Sequence, residues 1–163
     1  MSSETGLLRK ILLQALSGRG AHVLVEHALE GLDWQLSGKR PEGVPHSIFQ
    51  IVNHMIYWQD FSLQWLNGKK PPTPEHAAEG WPGDEGPGTA QEWSETLNRF
   101  QQGLVGFSRW VESEELFIDR GSGKTALEIV QMIATHNSYH TGQIASLRRL
   151  LGDWPPPSGG ATW

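Results

Sequence analysis

Between residues 89 and 112 the apolar positions Trp93, Leu97, Phe100, Leu104, Phe107 and Val111 recur at intervals of 4, 3, 4, 3 and 4. That spacing draws a narrow apolar stripe along one side of a helix, the kind of seam on which helices pack nearly antiparallel in a bundle. A second run, from 125 to 151, places Ile129, Ile133, His136, His140, Ile144, Leu147 and Leu151 on one face. A third, 47–67, aligns Ile51, His54, Trp58, Phe61 and Trp65. Near the start, Glu4 to Ser17 carries Leu8, Ile11, Leu12, Ala15 and Leu16 on one side. Gly18-Arg19-Gly20 then breaks the pattern, and Ala21 to Leu32 reads as a further helical piece before a loop at Gly38 to Pro45.

Helix starts are marked as clearly as helix faces. Ser47-Ile48-Phe49-Gln50, Thr89-Ala90-Gln91-Glu92 and Thr125-Ala126-Leu127-Glu128 each match the capping box, in which a hydroxyl and a Glu or Gln three residues on satisfy free amides of the first turn. No alternating strand pattern competes. The expectation is an all-α chain, a four-helix bundle in one domain spanning 1–163. Two stretches stand outside the helices. Gly68 to Gly88 holds five of the ten prolines and is long for a loop in a compact domain. The segment after Gly152 carries Pro155-Pro156-Pro157 and cannot be helical. Each reads either as a plain connection or as a wall of a pocket, the tail through a docked Trp163.

Composition narrows the function classes. Thirteen Lys and Arg against eighteen Asp and Glu give a formal charge of −5, and the basic residues fall in short pairs. Phosphate neutralisation needs a basic patch, so nucleic acid is not an expected partner. There is no cysteine, hence no disulfide framework, no thiolate ligand and no thiol nucleophile. Leu7 to Leu16 is interrupted by Arg9, Lys10 and Gln14, too short and too charged for a signal peptide or a spanning helix. A cytoplasmic protein without a membrane segment is expected.

His136 and His140 stand in the middle of their apolar stripe, where leucines belong. Four residues apart, they project side by side, as two ligands to one ion must. Unpartnered there, each imidazole would cost roughly 1–3 kcal/mol; a shared metal ion removes that cost when a neighbouring acceptor takes each second ring nitrogen. His54 lies at the flank of its own apolar face and supplies a third nitrogen. Alone it reads as an ordinary core-edge histidine; with the pair it points to a metal site.

Pro45-His46-Ser47 with His54, the run His136-Asn137-Ser138-Tyr139-His140-Thr141-Gly142-Gln143-Ile144, and the ending Leu151-Gly152-Asp153-Trp154-Pro155-Pro156 with Gly159-Gly160-Ala161-Thr162-Trp163 together resemble the DinB/YfiT-like superfamily of stress-associated metalloproteins. The resemblance runs from about Pro45 to the C-terminus. It implies a four-helix bundle with a three-histidine site, here His54, His136 and His140, for zinc, nickel or a similar divalent ion. It also implies homodimers and, for some members, transfer reactions on low-molecular-weight thiols. Gly142 would allow close helix approach, and Gln143 is a candidate partner for the histidines.

Two function classes follow. One is a metal-dependent enzyme with coordination room for a small-molecule substrate: a thiol transferase, or a hydrolase using bound water. The other is a non-catalytic metal-binding stress protein. No catalytic residue beyond the ligands can be assigned. Glu26, Glu30 and Asp33 are candidate carboxylate partners. Trp58 and Trp65 lie beside His54 as candidate pocket walls, with most of the eight tryptophans expected in the core. His22, His27, His46 and His76 read as surface or loop residues. Gly121-Ser122-Gly123-Lys124-Thr125 is similar to a phosphate-binding loop, but Ile118 stands where that motif needs glycine and no buried strand leads in; a helix start explains the segment better.

Overall fold

The computed structural model of the protein describes residues 3–160. Among them the regular elements are helices and short 3-10 turns, with one isolated bridge pair, Asp119 and Thr125, and no strand. Four helices are long: α1 (Ser3–Ser17), α4 (Ile48–Leu66), α5 (Ala90–Glu112) and α6 (Ala126–Leu150). Two are short, α2 (Val25–Leu29) and α3 (Trp34–Ser37), so the piece expected over Ala21 to Leu32 forms only in part. Asp33 ends it by capping α3, its carboxylate accepting from the amides of Gln35 and Leu36 at 2.8 and 3.2 Å. The long helices pack on one another: α4 against α5 and α6, α1 against α5 and α6. No helix among the described residues is long and apolar enough to cross a membrane.

The capping signals are realised. Ser47 and Gln50 close a reciprocal box at the start of α4, and Thr125 and Glu128 do so at α6. At α5 the box is half formed: Thr89 accepts from the Glu92 amide, while the Glu92 carboxylate takes the amide of Gly88 instead. The α5 seam is buried as its spacing requires, with Trp93, Phe100, Phe107 and Val111 inside and Leu97 and Leu104 packed at the margin.

The face of α1 is turned from the expected one. Leu12 and Leu16 are buried, but Ile11 is half exposed and Arg9 goes inside. The reason is electrostatic. The Arg9 guanidinium donates to the carbonyls of Val111 and Ser113 at the end of α5, groups that no helix can satisfy within itself. Tryptophan is likewise less central than expected: among the described residues Trp93 is buried and the other six are half-buried.

The apolar interior falls into two clusters. One gathers α2, the first half of α4, Trp93 and Phe100, and Ile144 with Leu147. The other gathers Leu12, Leu16, Leu66, Phe107, Val111 and the first half of α6. Along α6 the two are separated by His136, Asn137, His140 and Thr141, and Gln59 and Gly103 lie where α4 meets α5. A Cβ on Gly103 would stand 2.0 Å from the Gln59 side-chain oxygen, so only glycine admits this glutamine between the helices.

Arg148, 1 % exposed, ties the far end together. It pairs with Asp153 at 2.6 Å and donates to the carbonyls of Ala28 and Glu30 at 2.9 Å. The tail that follows is not helical. Trp154 packs on the first cluster under the Arg149 guanidinium, and the Ser158 amide donates to Glu30. The expected docking of Trp163 lies outside the described residues.

Candidate metal centre

α4 delivers His54 and α6 delivers His136 and His140 to one point. Nε2 of His136 lies 3.2 Å from Nε2 of His54 and 3.1 Å from Nε2 of His140. The three residues form a group whose ligand atoms all fall within 4.8 Å of one another. Four ligands at the usual zinc–nitrogen distance, in a tetrahedron, sit about 3.3 Å apart. The two spacings from His136 match that edge.

Tautomers are set from outside. Nδ1 of His54 donates to the carbonyl of Gly80 at 2.8 Å, and Nδ1 of His140 donates to Oε1 of Gln143 at 2.7 Å. With both Nδ1 atoms protonated, Nε2 of each of these two rings carries the lone pair, and each lies within 3.2 Å of Nε2 of His136. Nδ1 of His136 is buried and finds no hydrogen-bond partner. Burial lowers all three rings to about 4, their mutual positive charge adding to the effect, so they are neutral at pH 7. Three neutral nitrogens facing one point is a donor set that a divalent cation completes.

The long loop closes over this cluster. Its 3-10 turn Ala77–Gly80 packs on α4 and places the Gly80 carbonyl. The next residue, Trp81, lies flat on His54 with centroids 3.9 Å apart and an 11° tilt, and flat on His46 at 3.6 Å and 9°. Trp58 meets His54 edge-on. The loop is held further along by the Ser47 hydroxyl on the Glu85 carbonyl and by the Arg40–Glu85 ion pair at 2.8 Å. Within the stretch, Glu79, Gly80, Trp81 and Pro82 line a cleft on this side.

Several expectations change here. Gln143 is a partner of His140 as read, but Glu26, Glu30 and Asp33 are not the acceptors: Asp33 caps α3, Glu30 binds the Ser158 amide, and a backbone carbonyl serves His54 instead. Gly142 makes no close helix approach; a Cβ there would meet nothing within 4 Å. Trp65 stands about 16 Å further along α4 than His54. His46 belongs to the site through Trp81, and His22 binds the Ser138 hydroxyl at 2.8 Å. Trp81 and Gly80 carried no periodic signal, and an aromatic set between glycine and proline inside a long loop is the trace they left. On α4, Phe49, Val52 and Ile56 are buried within the chain.

The segment 121–125 offers no phosphate cradle. The Asp119 carboxylate already accepts from the amides of Gly121, Ser122 and Gly123 at 2.8 to 3.2 Å, and Thr125 caps α6.

A cleft of about 650 Å³ adjoins the loop, lined by Tyr57, Phe61 and Trp81 with the charged Asp60, Glu79 and Arg99.

Fold and site define an all-helical protein with a three-histidine cluster between two of its long helices. The chain belongs to the DinB superfamily, whose family model matches residues 19–144. No curated protein and no solved structure matches it significantly.

Proposed function

We propose that the protein is a metal-dependent transferase acting on a small thiol cosubstrate, a single-domain four-helix bundle of the DinB type that holds one zinc or nickel ion on His54, His136 and His140. The observation that carries the reading is the convergence of three neutral Nε2 atoms at 3.1 and 3.2 Å, two of them aimed by acceptors on their Nδ1 atoms. When bound, such an ion lowers the pKa of a thiol brought to it toward neutrality.

The chain's own residues do the rest. Gly80 and Gln143 hold two of the rings in the ligating tautomer. Trp58 and Trp81 cover His54 and keep water from it. The group contains three residues, which leaves room for a substrate atom. With no cysteine in the chain, the sulfur must arrive from outside, and the charged cleft beside Trp81 suits a zwitterionic thiol.

The test is metal analysis followed by an assay with glutathione, bacillithiol or mycothiol and a chlorinated nitroarene. Rate enhancement that vanishes in His54→Ala and on chelation supports the transferase. Metal bound without enhancement by any thiol returns the function to a non-catalytic stress protein or to water-based hydrolysis. A cytoplasmic homodimer is part of the proposal; sedimentation as a monomer at micromolar concentration would remove that part.

A further inference from the structure

A second cleft, of about 510 Å³, opens between α6 and the segment preceding α4. Val44, Ile51, Leu147 and Leu150 form its apolar walls, closed by Tyr139 and Gln143. Among the described residues no Asp, Glu, Lys or Arg lines it. Its volume falls in the range of small-molecule sites, about 300–1,000 Å³. The wall offers the hydrogen-bonding groups of His46, Tyr139, Gln143 and Ser146 but no carboxylate, ammonium or guanidinium to pair with a charged molecule, so charged molecules are disfavoured by desolvation.

The cleft is joined to the histidine cluster through one side chain. Gln143 accepts from Nδ1 of His140 through its oxygen and donates from its nitrogen to the Tyr139 hydroxyl at 3.2 Å. An occupant of the cleft therefore lies against the residue that orients a triad imidazole. His46, on the cleft wall, is stacked on Trp81, which lines the charged cleft. The two cavities, one charged and one apolar, thus meet the triad's surroundings from separate walls.

Gly142 supplies an independent argument. It is an exposed residue inside α6, where glycine costs about 1 kcal/mol relative to alanine. Its φ is not in the left-handed region, and a Cβ there would touch nothing. Neither backbone conformation nor helix packing explains the glycine; keeping the cleft wide does.

We propose that this cleft binds the electrophilic substrate as an uncharged, apolar small molecule, with the open space at Gly142 left for it. The inference rests on the transferase reading for the role of the bound molecule.

The experiment titrates the full-length, metal-loaded chain with nitrobenzene and with 4-nitrobenzoate, the same ring bearing a charge, and follows backbone amide shifts. Nitrobenzene is expected to bind saturably with shifts centred on Tyr139 to Leu150, and 4-nitrobenzoate at least tenfold more weakly. Gly142→Leu should weaken nitrobenzene at least tenfold while metal content and Tm hold. Leu150→Lys, at a rim position that is 66 % exposed, should narrow the preference by drawing in the anion. Equal binding of the two probes, or nitrobenzene binding untouched by Gly142→Leu, overturns the proposal. Thiol transfer is assayed in parallel on the same metal-loaded protein: nitrobenzene binding there without rate enhancement by any thiol refutes the function reading and leaves the cleft assignment standing.

Discussion

α6 and the loop from Gly68 to Gly88 perform the same task by opposite means. Each supplies an acceptor that fixes a histidine tautomer. In α6 the acceptor is Gln143, three residues after His140 and one helical turn away. In the loop it is the Gly80 carbonyl, twenty-six residues beyond His54. The helix needs only its own geometry, since residues three apart meet on one face. The loop needs an anchored path: the Trp81 stack on His46 and His54, the Ser47–Glu85 contact and the Arg40–Glu85 pair. A local device survives as long as its helix does, whereas a long-range one depends on every anchor along the way.

The most severe way to break the comparison is to remove the rings. His136→Ala or His140→Ala is expected to reduce bound metal from about one ion per chain to a small fraction, read by elemental analysis after dialysis. Chelation of the wild type should lower stability, by about 4 kcal/mol relative to free metal a thousandfold above Kd. Full occupancy in the double alanine variant would mean that other residues bind the ion.

Next come the two acceptors. Gln143→Leu frees Nδ1 of His140 and should weaken metal affinity about 10–100-fold, measured by competition with a chromophoric chelator. Trp81→Ala removes a ring stack worth about 0.5–1.5 kcal/mol and loosens the Gly80 carbonyl, for an expected loss of about two- to tenfold. If Trp81→Ala proves the more damaging, the loop and not the helix is the principal support of the site.

A pH dependence follows in the metal-free chain. Burial lowers His54, His136 and His140 to about 4 from the ordinary 6.5, so between those values the unfolded chain binds protons that the folded chain refuses. Stability is then full above pH 6.5 and declines as pH falls toward 4. Thermal melts of chelated protein across that window should show Tm dropping with pH, and the drop should shrink in His140→Ala.

The helical class, the three helix starts, the α5 seam and the candidate ligands were all legible in the residues. Each rests on relations within about a turn or two: a hydroxyl and a carboxylate three apart, apolar positions at 3 and 4, two histidines at i and i+4. Arg9 was illegible because its reason lies in carbonyls at the end of another helix, more than a hundred residues away. Gly142 was misread because a glycine in a helix looks alike whether it faces a neighbouring helix or a cavity.

By itself the sequence determined the long helices and which nitrogens were available, since those follow from backbone geometry and side-chain period. Only the tertiary structure decided that the Gly80 carbonyl holds His54, that Trp81 stacks on it, and that a charged and an apolar cleft flank the cluster. Loop paths and cavities are set by many distant contacts at once, and no spacing along the chain records them.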